Sequence, residues 1–124
     1  MVTDQHVIEF VQGYTQGAQW AEVDEEGNAL DHLTLAEETQ AVLEAEARDF
    51  LTANAPDLTA AAQCDGYDMT RAGHDFWLTR CGHGCGYWDR DELPGDLSER
   101  LTEAAKLTGG RYLYVGDDDL IYQG

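Results

Sequence analysis

The 124-residue sequence predicts an α+β fold: an antiparallel four-stranded sheet, built as two hairpins joined by a helix, with N-terminal helices packed on it. Three observations predict it. Residues 1–63 carry apolar positions at helical spacing, residues 73–122 read as strand, strand, helix, strand, strand, and glycine or proline punctuates the joins. An antiparallel sheet with helices on one face is the simplest architecture that buries these stripes. Residues 1–124 read as one domain, mainly helical and strongly acidic over 1–63 and ββαββ over 73–122.

Val7, Phe10, Val11 and Tyr14 place a first helix near 4–18, although Gly13 and Gly17 weaken it. The run Glu22-Val23-Asp24-Glu25-Glu26-Gly27-Asn28 reads as an exposed loop. Thr34-Leu35-Ala36-Glu37 has the form of a capping box, so a helix over 35–54 is expected, with Leu35, Val42, Leu43, Ala47, Phe50 and Leu51 as its buried stripe. Pro56 ends it, and a short helical piece near 57–63 follows. Residues 73–90 then read as strand, glycine turn and strand. With the turn at Gly82-His83-Gly84, Thr79 faces Tyr87 and Cys81 faces Cys85; Phe76, Leu78 and Trp88 form the core face, and Trp77 and Tyr87 the outer one, where packing under residues 1–63 is the expectation and an exposed binding face the alternative. Pro94-Gly95 and Asp96-Leu97-Ser98-Glu99 open a helix with Leu97, Leu101, Ala104 and Ala105 inward, stopped by Gly109-Gly110. A second hairpin closes the chain: strand 111–115, turn 116–119, strand 120–122.

Charge separates the two halves. Residues 1–70 hold 15 acids and one base (net −14), residues 71–124 hold 10 acids and six bases (net −4), and together they make the −18 of the whole. Such a field repels nucleic acid and anionic membrane, so neither is an expected partner, whereas basic proteins and cations are. No apolar run approaches the roughly 20 residues of a membrane span, and no signal-peptide pattern opens the sequence, so an intracellular, cytoplasmic protein with three reduced cysteines is expected.

Most residue types suited to chemistry fall in 73–90. Cys81-x3-Cys85 has zinc half-site spacing, with His83, His74 or Cys64 available to complete a set, but a second close ligand pair is missing. A cysteine–histidine nucleophile would need Cys81 or Cys85 beside His74 or His83, oriented by Asp75 or Asp89. Asp117-Asp118-Asp119 reads as a turn, since it lacks the spaced oxygen ligands of a calcium loop. No phosphate-cradling glycine loop and no hydrolase motif is present, so no enzyme activity and no cofactor is expected.

Gly73-His74-Asp75-Phe76-Trp77-Leu78-Thr79-Arg80, Gly82-His83-Gly84, Tyr87-Trp88-Asp89-Arg90, Leu101-Thr102 and Tyr114-Val115-Gly116-Asp117-Asp118 resemble a family of small acidic proteins encoded by bacteriophages and prophages. The likeness covers about 73–122 and more faintly Phe10-x-x-Gly-Tyr14 and Phe50-Leu51-x-Ala-Asn54-Ala55. The family carries no assigned catalytic residues, so the resemblance implies none. It usually has asparagine and alanine where this chain has Cys81 and Cys85, and glycine at Asp119, which makes the cysteines peculiar to this member. Phage origin implies an infected bacterial host, and small acidic phage proteins include anti-CRISPR and anti-restriction inhibitors.

Charge and resemblance converge on one expectation: a non-enzymatic inhibitor of a host nucleic-acid-binding defence complex. Its partner would be a basic nucleic-acid-binding host protein or a CRISPR effector subunit. Duplex DNA carries one charge per roughly 1.7 Å, so the acids of 1–70 match about 24 Å of duplex if they lie along one face, close to the roughly 30 Å of the 35–54 helix. Glu22, Asp24, Glu25, Glu26, Glu37, Glu38 and Glu44 are the expected contacts. Two alternatives stand beside it: a small metal-binding or thiol protein built on Cys81, His83 and Cys85, and an accessory phage protein whose acids serve solubility alone.

Overall fold

Thr3 opens the first helix, α1 (Asp4–Ala21), through a capping box in which its hydroxyl accepts from the His6 amide at 3.1 Å while His6 Nδ1 accepts from the Thr3 amide at 3.2 Å. The computed structural model describes residues 2–124. A 3-10 turn at Leu30–His32 leads to a two-residue strand, β1 (Thr34–Leu35), followed by α2 (Glu37–Ala53) and α3 (Ala55–Ala62). Then come α4 (Met69–Arg80), a 3-10 turn at Tyr87–Asp89, α5 (Gly95–Leu107), β2 (Leu113–Val115) and β3 (Leu120–Gln123).

The four-stranded antiparallel sheet is not formed. Among the described residues the sheet has three strands in the order β1-β3-β2, with β1 parallel to β3 and β2 antiparallel to it. Thr34 lies in β1, so the expected capping box does not form; α2 begins two residues later with Ala36 as its cap and no side-chain bond there. Likewise α5 starts behind Pro94 without an Asp96 cap.

The larger correction concerns 73–90, where the first predicted strand is helix α4. Asp68 caps that helix, accepting from the Arg71 amide at 2.8 Å. Met69, Ala72, Phe76 and Thr79 then recur at helical spacing, a period masked when reading begins at Gly73. Gly82 stops the helix. At φ 69° it takes the left-handed conformation of a Schellman end, in which the His83 amide donates to Leu78 O at 3.1 Å and the Gly82 amide to Thr79 O at 3.3 Å. The chain does reverse there, and Thr79 does meet Tyr87, its hydroxyl accepting from the Tyr87 amide at 3.1 Å. What returns is an irregular segment lying along the helix. Trp77 and Tyr87, placed on the outer face of the expected hairpin, are covered and both 0% exposed, whereas Trp88, expected in the core, is 50% exposed.

Two glycines that weakened the first helix in the sequence bring it against α4. A Cβ on Gly13 would lie 1.9 Å from Thr70 O, and one on Gly73 would lie 2.1 Å from Phe10 O, so the two helix backbones touch. Around this crossing the aromatic core assembles. Phe76 stacks on Phe50 at 3.9 Å between ring centroids and on Tyr14 at 4.8 Å, and Trp77 meets Tyr14 edge-on at 5.5 Å. Each such ring contributes about 2 kcal/mol by burial.

Buried polar groups tie the remaining elements to α4. Asp75 is held by Arg90 through contacts of 2.6, 2.9 and 3.1 Å and by the Tyr67 hydroxyl at 2.7 Å. Hydrogen bonding to Asp75 holds the Arg90 guanidinium well above its ordinary pKa, and burial raises the Tyr67 phenol. Arg80 reaches three other helices. It donates to Tyr14 Oη at 2.8 Å, pairs with Glu46 at 3.2 Å, and caps the end of α5 at Thr108 O (3.2 Å) and Gly109 O (2.8 Å). Burial works against that guanidinium, but Tyr14 and Glu46 outweigh it and raise its pKa.

Candidate binding surface

The loop joining α1 to β1 is shaped by its own acids. Asp24 Oδ1 accepts from the amides of Glu26 and Asn28, each at 2.9 Å, and the Asp24 amide donates to Asn28 O at 2.9 Å. This leaves Glu25 and Glu26 exposed at the tip. The base of the loop is anchored from within. Leu30 is fully buried, Gln19 donates to Leu33 O at 2.8 Å, and Glu22 accepts the Trp77 indole N–H at 3.0 Å while also contacting His83 Nε2.

Opposite this loop stands the β2–β3 hairpin. Asp118 accepts from the Leu120 amide at 3.1 Å and from the Tyr122 hydroxyl at 2.6 Å. That bond holds the Asp118 carboxyl below its usual range and pushes the Tyr122 phenol up to about 12. Asp117 and Asp119 project on either side, exposed, with Asp119 in the left-handed region at φ 63°. Aspartate is among the few non-glycine residue types that take up this conformation readily, which suits it to the turn.

Between loop and hairpin lies an open groove of about 730 Å³. Val23, Asp24, Glu25 and Glu26 line it from the loop; His32 and Leu33 follow, and Leu113, Tyr114, Val115, Asp117 and Asp119 line it from the hairpin. Leu33 also borders a second groove of about 530 Å³, which runs past Thr34 and Leu35 to Glu37, Gln40 and Glu44. Among the described residues neither groove is lined by lysine or arginine. The cations are engaged elsewhere: Arg71 pairs with Glu92, Arg80 and Arg111 with Glu46, Arg90 with Asp75, and Arg100 with Asp57 and Asp96. These five arginines leave only Arg48 and Lys106, of seven basic residues, without an ion pair among the described residues.

The seven acids singled out in the sequence therefore divide. Glu25, Glu26, Glu37 and Glu38 are exposed; Glu44 is half-buried and accepts from Gln40 at 2.8 Å; Asp24 shapes its loop; Glu22 is turned inward on Trp77 and His83. The acids do not form one row along α2, because Glu46 is drawn in between Arg80 and Arg111 and Arg48 lies on the same helix. Asp117 and Asp119 join the surface from the other end of the chain. Their signal was present as a triple aspartate, but only the fold brings it beside Glu25 and Glu26.

Cys81 and His83, named for the alternative metal or thiol reading, are engaged in other contacts. Among the described residues no group of three or more His, Cys, Asp or Glu side chains is placed to hold a metal ion. Cys81 donates its thiol to Arg111 O at 3.2 Å, and burial raises its pKa, the reverse of an activated nucleophile. His74 packs against Gly17 and the Trp20 ring, 5.4 Å between centroids, and His83 contacts Glu22. All three cysteines are free. Among the described residues no helix is long and apolar enough to cross a membrane. Comparisons with protein-family models, curated proteins and solved structures found no match.

Proposed function

We propose that the chain is a binding protein that inhibits a host nucleic-acid-binding complex by seating its acidic surface in that complex's basic groove. The observation that carries this reading is the pair of adjoining grooves edged by Glu25, Glu26, Glu37, Asp117 and Asp119, with no lysine or arginine lining either. Carboxylates held in this density attract a surface built for phosphates, through the same salt-dependent electrostatics that nucleic acid uses. The resemblance to small acidic phage proteins makes a defence complex of an infected bacterium, a CRISPR effector subunit first, the partner class to test.

Supporting a binding role over turnover, three central polar side chains of 73–90 are taken up in holding the fold: Asp75 by Arg90 and Tyr67, Thr79 by Tyr87, Arg80 by Tyr14 and Glu46. Pull-down of purified chain against CRISPR effectors and restriction complexes, followed by DNA-binding competition over a series of salt concentrations, is the test. The expected result is capture of an effector and loss of its DNA binding, with competition weakening as salt rises. Absence of capture at low salt overturns the reading.

A further inference from the structure

We propose that the open edge of β2 is a docking site for an extended Lys/Arg-rich segment of a partner protein, which adds to the sheet as a strand beside Leu113–Val115. Strand order puts β2 at the edge of the sheet, with β3 as its only neighbour among the described residues. The Gly124 amide donates to Tyr112 O at 3.0 Å and the Gly116 amide to Leu120 O at 2.9 Å, while Tyr114 stands opposite Tyr122. Bonded pairs alternate along an antiparallel ladder, so 112, 114 and 116 turn their main-chain groups toward β3. Leu113 and Val115 therefore turn theirs the other way, and these N–H and C=O groups have no hydrogen-bond partner among the described residues.

Folded proteins protect such an edge with a lysine, a proline, a bulge or a covering element. Among the described residues none of these is found on β2, whose one protection is its shortness, at three residues. Arg111, just before it, is held by Glu46 and Gln123. Beside the edge instead is the 730 Å³ groove, in which Leu113 and Val115 share the lining with Val23 and Leu33. The two outward residues offer main-chain bonds of any strand partner's kind, and the apolar lining offers contact for alternate side chains.

Charge decides the occupant. Asp24, Glu25, Glu26, Asp117 and Asp119 surround this edge without a lysine or arginine, so an incoming strand gains by carrying cations and a second copy of this acidic chain is repelled. The proposal rests on the functional reading in taking the partner to be basic, and it adds the place and backbone geometry of the contact.

A pair of synthetic peptides separates the two. A fluorescent nonapeptide of alternating lysine and valine is titrated against the full chain at low salt, beside the same peptide N-methylated at every residue. Methylation keeps the charge and removes main-chain donors. The unmethylated peptide is expected to bind about tenfold more tightly, the loss of about two main-chain bonds, and to slow hydrogen exchange at the Leu113 and Val115 amides. Equal binding of both peptides without protection there overturns edge docking and leaves the electrostatic reading standing. Failure of both peptides to bind overturns both. Protection of these amides that rises with protein concentration in the absence of peptide assigns the edge to self-association and overturns the proposal. Strand-like peptide binding without displacement of DNA from any effector supports the docking site and rejects the inhibitory function.

Discussion

The segment 67–90 and the surface formed by 23–33 with 113–122 are both rich in polar side chains, and they use them in opposite directions. In the first, Tyr67, Asp75, Thr79, Tyr87 and Arg90 satisfy one another inside the molecule. In the second, Glu25, Glu26, Asp117 and Asp119 face solvent around an open groove. The comparison teaches that a dense motif of histidine, cysteine, tryptophan and aspartate can be scaffold, while a plain acidic loop and turn line the proposed binding surface. Replacing a residue of the first region should cost stability; replacing one of the second should cost binding.

The largest effect is expected at Asp75. Removing it as Asp75→Ala leaves the Arg90 guanidinium without its carboxylate and the Tyr67 hydroxyl without its acceptor, a loss of about 3–5 kcal/mol in urea unfolding. A loss under about 1 kcal/mol would make this pair equivalent to an exposed salt bridge and break the contrast. Next comes Gly13→Ala, which forces α1 from α4 and is expected to cost about 1–3 kcal/mol or more. Gly95→Ala is the control, since a Cβ there meets nothing within 4 Å. Equal midpoints for the two variants would show that the helix crossing yields freely.

A smaller effect sharpens the comparison through pH. Burial lowers the His74 pKa, against the pull of Asp75, so the unfolded chain binds more protons than the folded one between that lowered value and the ordinary value of about 6.5. Stability from this group is complete above about 6.5, declines as pH falls through the window, and levels off below the folded pKa. His74→Gln should remove that part of the slope when unfolding is measured at several pH values; an unchanged slope would assign it to other groups. The smallest effect on stability, within about 0.5 kcal/mol per site, is expected for Glu25→Gln, Glu26→Gln and Asp117→Asn. Together they should still weaken binding of a basic peptide or effector by about tenfold. Retained affinity would separate the acids from the function.

Local signals were legible where the structure depends on neighbours in sequence. The stripe Leu97, Leu101 and Ala105 identifies α5, and Phe10 with Tyr14 identifies α1. Signals failed where a distant partner decides. Gly13 looked like a flaw in α1 until α4 was packed against it. Thr34 looked like a helix cap, but pairing with Leu120 makes it a strand residue. Phe76, Trp77 and Thr79 favour strands by type, yet Asp68 starts a helix and Gly82 ends it. The candidate surface divides the same way. Glu25 and Glu26 are legible as an acidic loop tip, whereas the inward turn of Glu22 depends on Trp77, 55 positions away.

That last contact gives the protein an optical consequence. Trp77 is fully buried with its indole N–H on the Glu22 carboxylate at the root of the acidic loop, while Trp20 and Trp88 are 60% and 50% exposed. A water-borne cationic quencher such as caesium, drawn in by the net charge of −18, therefore extinguishes two emitters and spares the third. The surviving emission comes from the one indole fastened to the loop's base, so its wavelength and lifetime report whether that fastening holds when a partner arrives, with no label attached.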